Sequence, residues 1–211
     1  MTRRLAVAML VPPLWQPPGV DPHAWRVALA EDVLDVLARL TEVEAAIAVE
    51  ADAPDLAGQV GWPGLRSYLV PAFDVVSVLR AAADDGFDQA VLLAADAPDL
   101  PGMLIAKLLR PLTTRPVAVA PAVSGSSGLL GLSARLPVPD WLPAGHLDDL
   151  TPQLVRQRAP MPSEVAPAPG WHRLREPADL ARLDPRLEGW EATRALLSAT
   201  PEAVRNTYQR A

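Results

Sequence analysis

Two carboxylates follow directly on an apolar run in Val91-Leu92-Leu93-Ala94-Ala95-Asp96-Ala97-Pro98-Asp99-Leu100-Pro101. Such a run reads as a buried strand, and in an open parallel sheet ligands bind in the crevice beyond the strands' carboxyl ends. A carboxylate delivered there can hold a divalent cation that bridges and neutralises phosphates, which makes Asp96 the candidate metal ligand. Asp99 precedes Pro101 and reads first as a helix cap, second as a further carboxylate of the same site. Ser124, Gly125 and Ser126, within Ser124-Gly125-Ser126-Ser127-Gly128, offer hydroxyls and backbone amides to an anion, and Arg173 and Arg175 offer guanidinium groups to the same anion. These five are the candidate substrate-binding residues; against them stands the plainer reading of surface arginines beside an ordinary loop. His23, His146 and His172 are far apart, without metal-ligand spacing, and only His172 lies near the expected site. Asp148-Asp149 reads as a helix start. No G-x-S-x-G, G-x-G-x-x-G or G-K-[S/T] signature is present, and no catalytic residue is assigned.

The elements that must position these groups alternate. Leu5 to Val11, Glu44 to Glu50, Leu65 to Val70, Phe87 to Ala95 and Pro116 to Ala120 read as strands. Between the first two, Asp21-Pro22 is a helix start, and Trp25, Leu29, Val33, Val36, Leu37 and Leu40 fall on one helical face, with Glu31, Asp32 and Arg39 off it. Phe73, Val76 and Leu79 predict a helix ended by Asp84-Asp85-Gly86; another starts at Pro101, with Leu104 and Leu108, and Ile105 and Leu109, stacked one turn apart. Such alternation implies right-handed crossovers and an α/β fold with a mostly parallel, doubly wound sheet. Beyond it, Gly128 to Ser133 reads as a strand that can run antiparallel. Asp148 to Arg158 reads as a helix, 159–170 as a proline-rich connection, and Pro177 to Leu183 and Leu187 to Ser198 as short helices. The whole is expected to be one domain, 1–211, with 177–211 a C-terminal helical appendage.

Half of the 211 residues are apolar and the net charge is −6, which argues against disorder and gives no general drive toward nucleic acid or acidic membranes. Lys107 is the only lysine, so no mechanism rests on a lysine cluster. The chain has no cysteine, which excludes disulfides, thiolate catalysis and thiolate metal sites. Met1-Thr2-Arg3-Arg4 followed by Leu5 to Val11 is too short an apolar run for a signal peptide, no run reaches the ~18–20 residues of a membrane span, and the expected compartment is the cytoplasm.

Several segments, taken in order, resemble one family. Val91 to Pro101 is similar to the (G/A)-S/A-D-x-P-x-L segment of the nucleotide-diphospho-sugar transferases of GT-A-type fold, in particular of the DUF2064 branch, the radical-SAM/selenodomain-associated transferases. Val117 to Pro121 followed by Gly128-Leu129-Leu130-Gly131-Leu132 resembles that branch's V-x-G-P-x-x-D-G-G-Y-x-L-I-G-L passage. Arg175-Glu176-Pro177-Ala178-Asp179-Leu180 resembles the tail of D-V-D-T-P-x-D-L, and Ala30 to Leu34 stands where the family has A-x-x-x-D-T-L. The resemblance implies a three-layer fold and an ancestral transfer of a sugar or nucleotidyl group from a nucleotide donor, with Mg²⁺ or Mn²⁺ on Asp96 and the loop from Ser124 to Gly128 facing the acceptor.

The departures bear on function. Where family members carry a glycine-bearing loop and a K-T-R-L segment after the first strand, this chain has Pro12-Pro13-Leu14-Trp15-Gln16-Pro17-Pro18-Gly19, with no Lys or Arg until Arg26. Prolines donate no N–H, so this loop cannot cradle phosphates in the family's way. The acid of D-G-G-Y is gone, and the two acids of D-V-D-T-P stand as Arg173 and Arg175, which reverses the charge where a cation would sit. Two readings follow almost level: a glycosyl- or nucleotidyltransferase with a divergent donor pocket, and a noncatalytic relative that binds a nucleotide, a nucleotide sugar or a partner protein. Guanylyl transfer of the 2-phospholactate type is a third. An open cleft with a second acid near Asp96 would favour the enzyme; a cleft plugged by Trp15 and the prolines would favour the binder.

Overall fold

The computed structural model describes residues 2–123, 128–184 and 186–199. Its elements are β1 (Arg4–Met9), α1 (Pro22–Ala38), β2 (Glu44–Glu50), α2 (Asp55–Val60), β3 (Arg66–Val70), α3 (Val75–Asp84), β4 (Gln89–Ala94), α4 (Gly102–Leu109), β5 (Val117–Val123), β6 (Leu129–Arg135), α5 (Pro152–Arg158), β7 (Val165–Pro167), β8 (Trp171–His172) and α6 (Glu191–Ser198). The sheet runs β3-β2-β1-β4-β6-β5-β7, with β8 also on β5. β1 pairs in parallel with both β2 and β4, and β2 with β3. β6 alone of these runs against its neighbours β4 and β5. It is the antiparallel strand expected after Gly128.

Alternation along the strands divides the core into two layers. Leu5, Val7, Met9, Leu92 and Ala94 face Val76 and Leu79 of α3 and Val155 of α5. Ala6, Ala8, Val91 and Leu93 face Val33 and Leu37 of α1 and Leu104 and Leu108 of α4. The central strand β4 is buried along its whole length, as a strand covered on both faces requires. A third cluster joins Val20, Trp25 and Leu29 to Leu174, Leu180, Leu183, Trp190 and Leu197, with Trp15 packed against it. The C-terminal helices therefore share a core with α1.

Several expectations need correction. α5 begins at Pro152, capped by Thr151, whose side chain accepts from the Leu154 N–H; Asp148 lies ahead of the helix and does not cap it. The proline-rich connection contains β7, parallel to β5. α6 begins at Glu191, later than expected. Asp32, placed off the apolar face of α1, is 1% exposed because that helix is buried on two sides, against the sheet and against α6.

Candidate functional site

β1 feeds outward through β2 to β3, while β4 lies on the other side of β1. The loops leaving β1 and β4 diverge there, and this topological switch point is where open α/β sheets form their crevice. Asp96 stands two residues beyond the end of β4, as the sequence indicates, and is 6% exposed.

The carboxylate is fully engaged. Arg173 donates from Nε to Asp96 Oδ1 at 2.5 Å and from Nη2 to Oδ2 at 3.0 Å, a bidentate fork. The same guanidinium donates from Nη1 to Asp148 Oδ1 at 2.6 Å and to the Leu129 carbonyl at 3.0 Å. Arg175 Nε lies 3.5 Å from Asp96 Oδ2, and its Nη2 contacts Asp148 Oδ1. Two acids and two bases thus form a charge-balanced, largely buried quartet whose most open member is Asp148, its side chain 25% exposed. Burial alone would lower the Arg173 pKa, but Asp96 and Asp148 outweigh it and hold it above its ordinary value. Burial would likewise raise Asp148, and Arg173 and Arg175 reverse that, holding it below the usual carboxylate range.

Local chemistry fixes the quartet in place. The Leu174 N–H donates to the Asp96 carbonyl at 2.7 Å, and β8 pairs Val123 with His172. The backbone N–H groups of Arg175 and Glu176 donate to Asp179 Oδ2 at 3.0 and 3.1 Å, so the acid at the end of the Arg175–Leu180 motif serves as a backbone anchor. Gly128 has φ of +104°, and a Cβ there would stand 2.9 Å from the Asp148 Cα; glycine lets the Asp148 loop close onto β6. Asp148 went unrecognised in the sequence because nothing in an Asp-Asp pair at a loop end signals a partner 25 residues later.

Asp99 does not cap α4, whose N-cap is Pro101 without a side-chain bond. It accepts from Trp171 Nε1 at 3.0 Å and lies 3.0 Å from His172 Nε2, so it ties β8 to the loop after β4. The loop after β1 is pinned to α1 through Trp15, while Leu14 beside it stays exposed. Trp25 Nε1 donates to the Trp15 carbonyl at 3.0 Å, with the two rings edge to face. Arg26, the first Lys or Arg after β1, donates from Nε to the Leu10 carbonyl at 3.1 Å and lies 3.9 Å from Glu50, so it caps strand ends. The structure therefore brings Arg173 and Arg175 to Asp96 but turns them onto it. Ser124, Gly125 and Ser126 lie outside the described residues.

This donor set does not fit a divalent cation as it stands. Ligation would require Asp96 to give up charge-assisted bonds beside two guanidinium groups. Among the described residues no group of three or more His, Asp or Glu converges as metal ligands would. No helix among them is long and apolar enough to cross a membrane.

No protein family and no curated protein matches the sequence; solved structures do match the fold. A candidate nucleotide-diphospho-sugar transferase from Desulfovibrio desulfuricans G20 superposes with a TM-score of 0.67 at 21% identity, over 99% of each chain. CMP:2-keto-3-deoxy-manno-octonic acid synthetase complexed with CTP gives 0.54 at 13% identity, over 86% of this chain and 95% of that one. Rv0371c of Mycobacterium tuberculosis H37Rv, in complex with manganese, gives 0.56 at 16% identity, over 94% and 99%. The fold is that of the nucleotidyl- and sugar-nucleotide transferases, a mixed α/β architecture around a mostly parallel sheet.

Proposed function

We propose that this chain is a nucleotidyltransferase-fold protein, a divergent relative of the DUF2064 branch, that binds a nucleotide-type ligand or a partner protein without catalysing transfer. The observation that carries the reading is the occupation of both Asp96 oxygens by Arg173 and Arg175. A transferase that relies on a cation at the strand end needs that carboxylate free. The Pro12–Gly19 loop adds support, because its backbone lacks donors at the prolines and its tryptophan is spent on packing against Trp25. Fold alone does not carry activity; it supplies the crevice at the switch point, and the quartet ties up the carboxylate there.

The test is a thermal-shift panel of nucleotides and nucleotide sugars with and without Mg²⁺ or Mn²⁺, run beside an assay for release of the donor's nucleotide or diphosphate product. Any stabilisation is expected to be independent of metal, with no product formed; metal-dependent product that vanishes in Asp96→Asn would overturn the reading.

A second reading is favoured by one observation: Asp148 stands at the same guanidinium as Asp96, which supplies the second acid an enzyme would need. In that reading the chain is a glycosyl- or nucleotidyltransferase using Mg²⁺ or Mn²⁺, of which the manganese complex of Rv0371c is a fold-level precedent. It requires Arg173 and Arg175 to leave both acids when substrate binds. The same panel separates the two.

A further inference from the structure

We propose that Arg173 is a built-in cation: its guanidinium bridges Asp96 and Asp148 and supplies the positive charge these acids would otherwise take from a divalent ion, which keeps the site metal-free. The inference rests on the reading of the quartet as closed and goes beyond it by naming the replacement and its consequence for metal affinity.

Three features support it. The first is connectivity. One guanidinium contacts both Asp96 oxygens, Asp148 Oδ1 and the Leu129 carbonyl, an all-oxygen set drawn from the loop after β4, the segment before α5 and the start of β6. Hard divalent cations take carboxylate and carbonyl oxygens of this kind. The second is charge: Arg173 and Arg175 together bring the two positive charges that one divalent ion would bring to the two acids.

The third is rigidity, which separates a fixed replacement from an arm that swings aside. Trp171 is tied to Asp99 through Nε1 at 3.0 Å, His172 pairs with Val123 in β8, and the Leu174 N–H is bonded to the Asp96 carbonyl at 2.7 Å. The Leu174 side chain is 0% exposed in the cluster of Trp25 and Trp190. Residues on both sides of Arg173 are thus held by sheet pairing, hydrogen bonds and core packing. Moving the guanidinium off Asp96 means stretching the side chain out of a buried site or undoing these contacts. Either leaves buried charges unpaired.

The experiment measures Mn²⁺ binding directly, by electron paramagnetic resonance of free Mn²⁺ and by the melting temperature in Mn²⁺ against Na⁺ at equal ionic strength. The wild-type chain is expected to bind none through Asp96 at millimolar Mn²⁺. Arg173→Met/Arg175→Met is expected to lower the free Mn²⁺ signal at the millimolar concentration at which the wild type leaves it unchanged, and its melting temperature to rise with Mn²⁺. Adding Asp96→Asn should abolish the gain. Should the double variant fail to fold, Arg173→Gln/Arg175→Gln is read in the same way; it removes both charges and keeps amides that can hydrogen-bond to the acids. Asp96-dependent Mn²⁺ binding by the wild type overturns the proposal, as does a folded variant that gains no affinity. Failure of the noncatalytic reading shows separately, as product from the wild-type chain.

Discussion

At the residue scale, Asp96 and Arg173 form a pair in which both partners are almost wholly buried. A buried pair is weak evidence of net stabilisation, because desolvation offsets much of the attraction, but removing one partner strands the other. Asp96→Asn is therefore expected to cost about 3–5 kcal/mol, read by chemical denaturation. Asp96→Asn/Arg173→Met should cost less than the sum of its single changes, and additive costs would show that the two side chains do not act as a unit. Asp148 adds a pH dependence. Its folded pKa lies below its ordinary value, so its contribution is present above the unfolded pKa of about 4 and is lost as pH falls through the folded value. Acid melts of Asp148→Asn should show a shallower loss below pH ~4 than the wild type. Asp96 is legible in the sequence, since an acid after an apolar strand has one place to go. Its partner is not, because an arginine next to a histidine and a leucine looks the same whether it points at solvent or at a carboxylate.

At the scale of elements, α6 is held onto α1 by a cap supplied from a distant part of the chain. The N–H groups of Ala192 and Thr193 donate to Asp32 Oδ1 and Oδ2 at 2.9 and 2.8 Å. These are first-turn donors that no residue of α6 satisfies, and an acid there also meets the positive end of the helix dipole. Burial pushes Asp32 up to about 6, against the opposing pull of its hydrogen bonds to Thr193 and Ala192. A folded pKa above the unfolded one means the folded chain holds its proton more tightly. Stability from this group is then fullest below pH ~4 and declines as pH rises toward 6. Asp32→Asn should flatten the stability profile across that interval, and an unchanged slope would assign it to other groups. The docking itself rests on Trp190, which is 0% exposed beside Trp25 and Leu29. Trp190→Ala is expected to destabilise by about 3–5 kcal/mol, the usual cost of emptying a large buried site. Helix α1 was evident from its spacing, whereas its second buried face was not, because Asp32 looks like a solvent residue until a helix from the far end of the chain arrives with unpaired donors.

At the scale of the whole molecule, the C-terminal cluster joins α1, the loop after β1 and the segment carrying Arg173 and Arg175 through shared buried residues. We infer that the C-terminal helices are part of the domain's core and not a detachable appendage. Urea unfolding followed by tryptophan fluorescence and by far-UV circular dichroism is expected to give coincident single transitions, and two separated ones would show that the C-terminal region unfolds independently. Apart from α2, where the sequence reads as a loop of Ala, Asp, Pro and Gly, the alternation of apolar runs and helical stripes up to β5, the antiparallel strand after Gly128 and the position of Asp96 at a strand's carboxyl end were determined by the sequence alone. They depend on local periodicity and on the rule that buried backbone must pair within elements. Only the tertiary structure decided that β7 and β8 join the sheet, that Asp148 belongs with Asp96, and that Arg173 and Arg175 face inward. Each of these depends on contacts between residues far apart in the chain, where the sign of a charge is visible but the direction in which its side chain points is set by the packing around it.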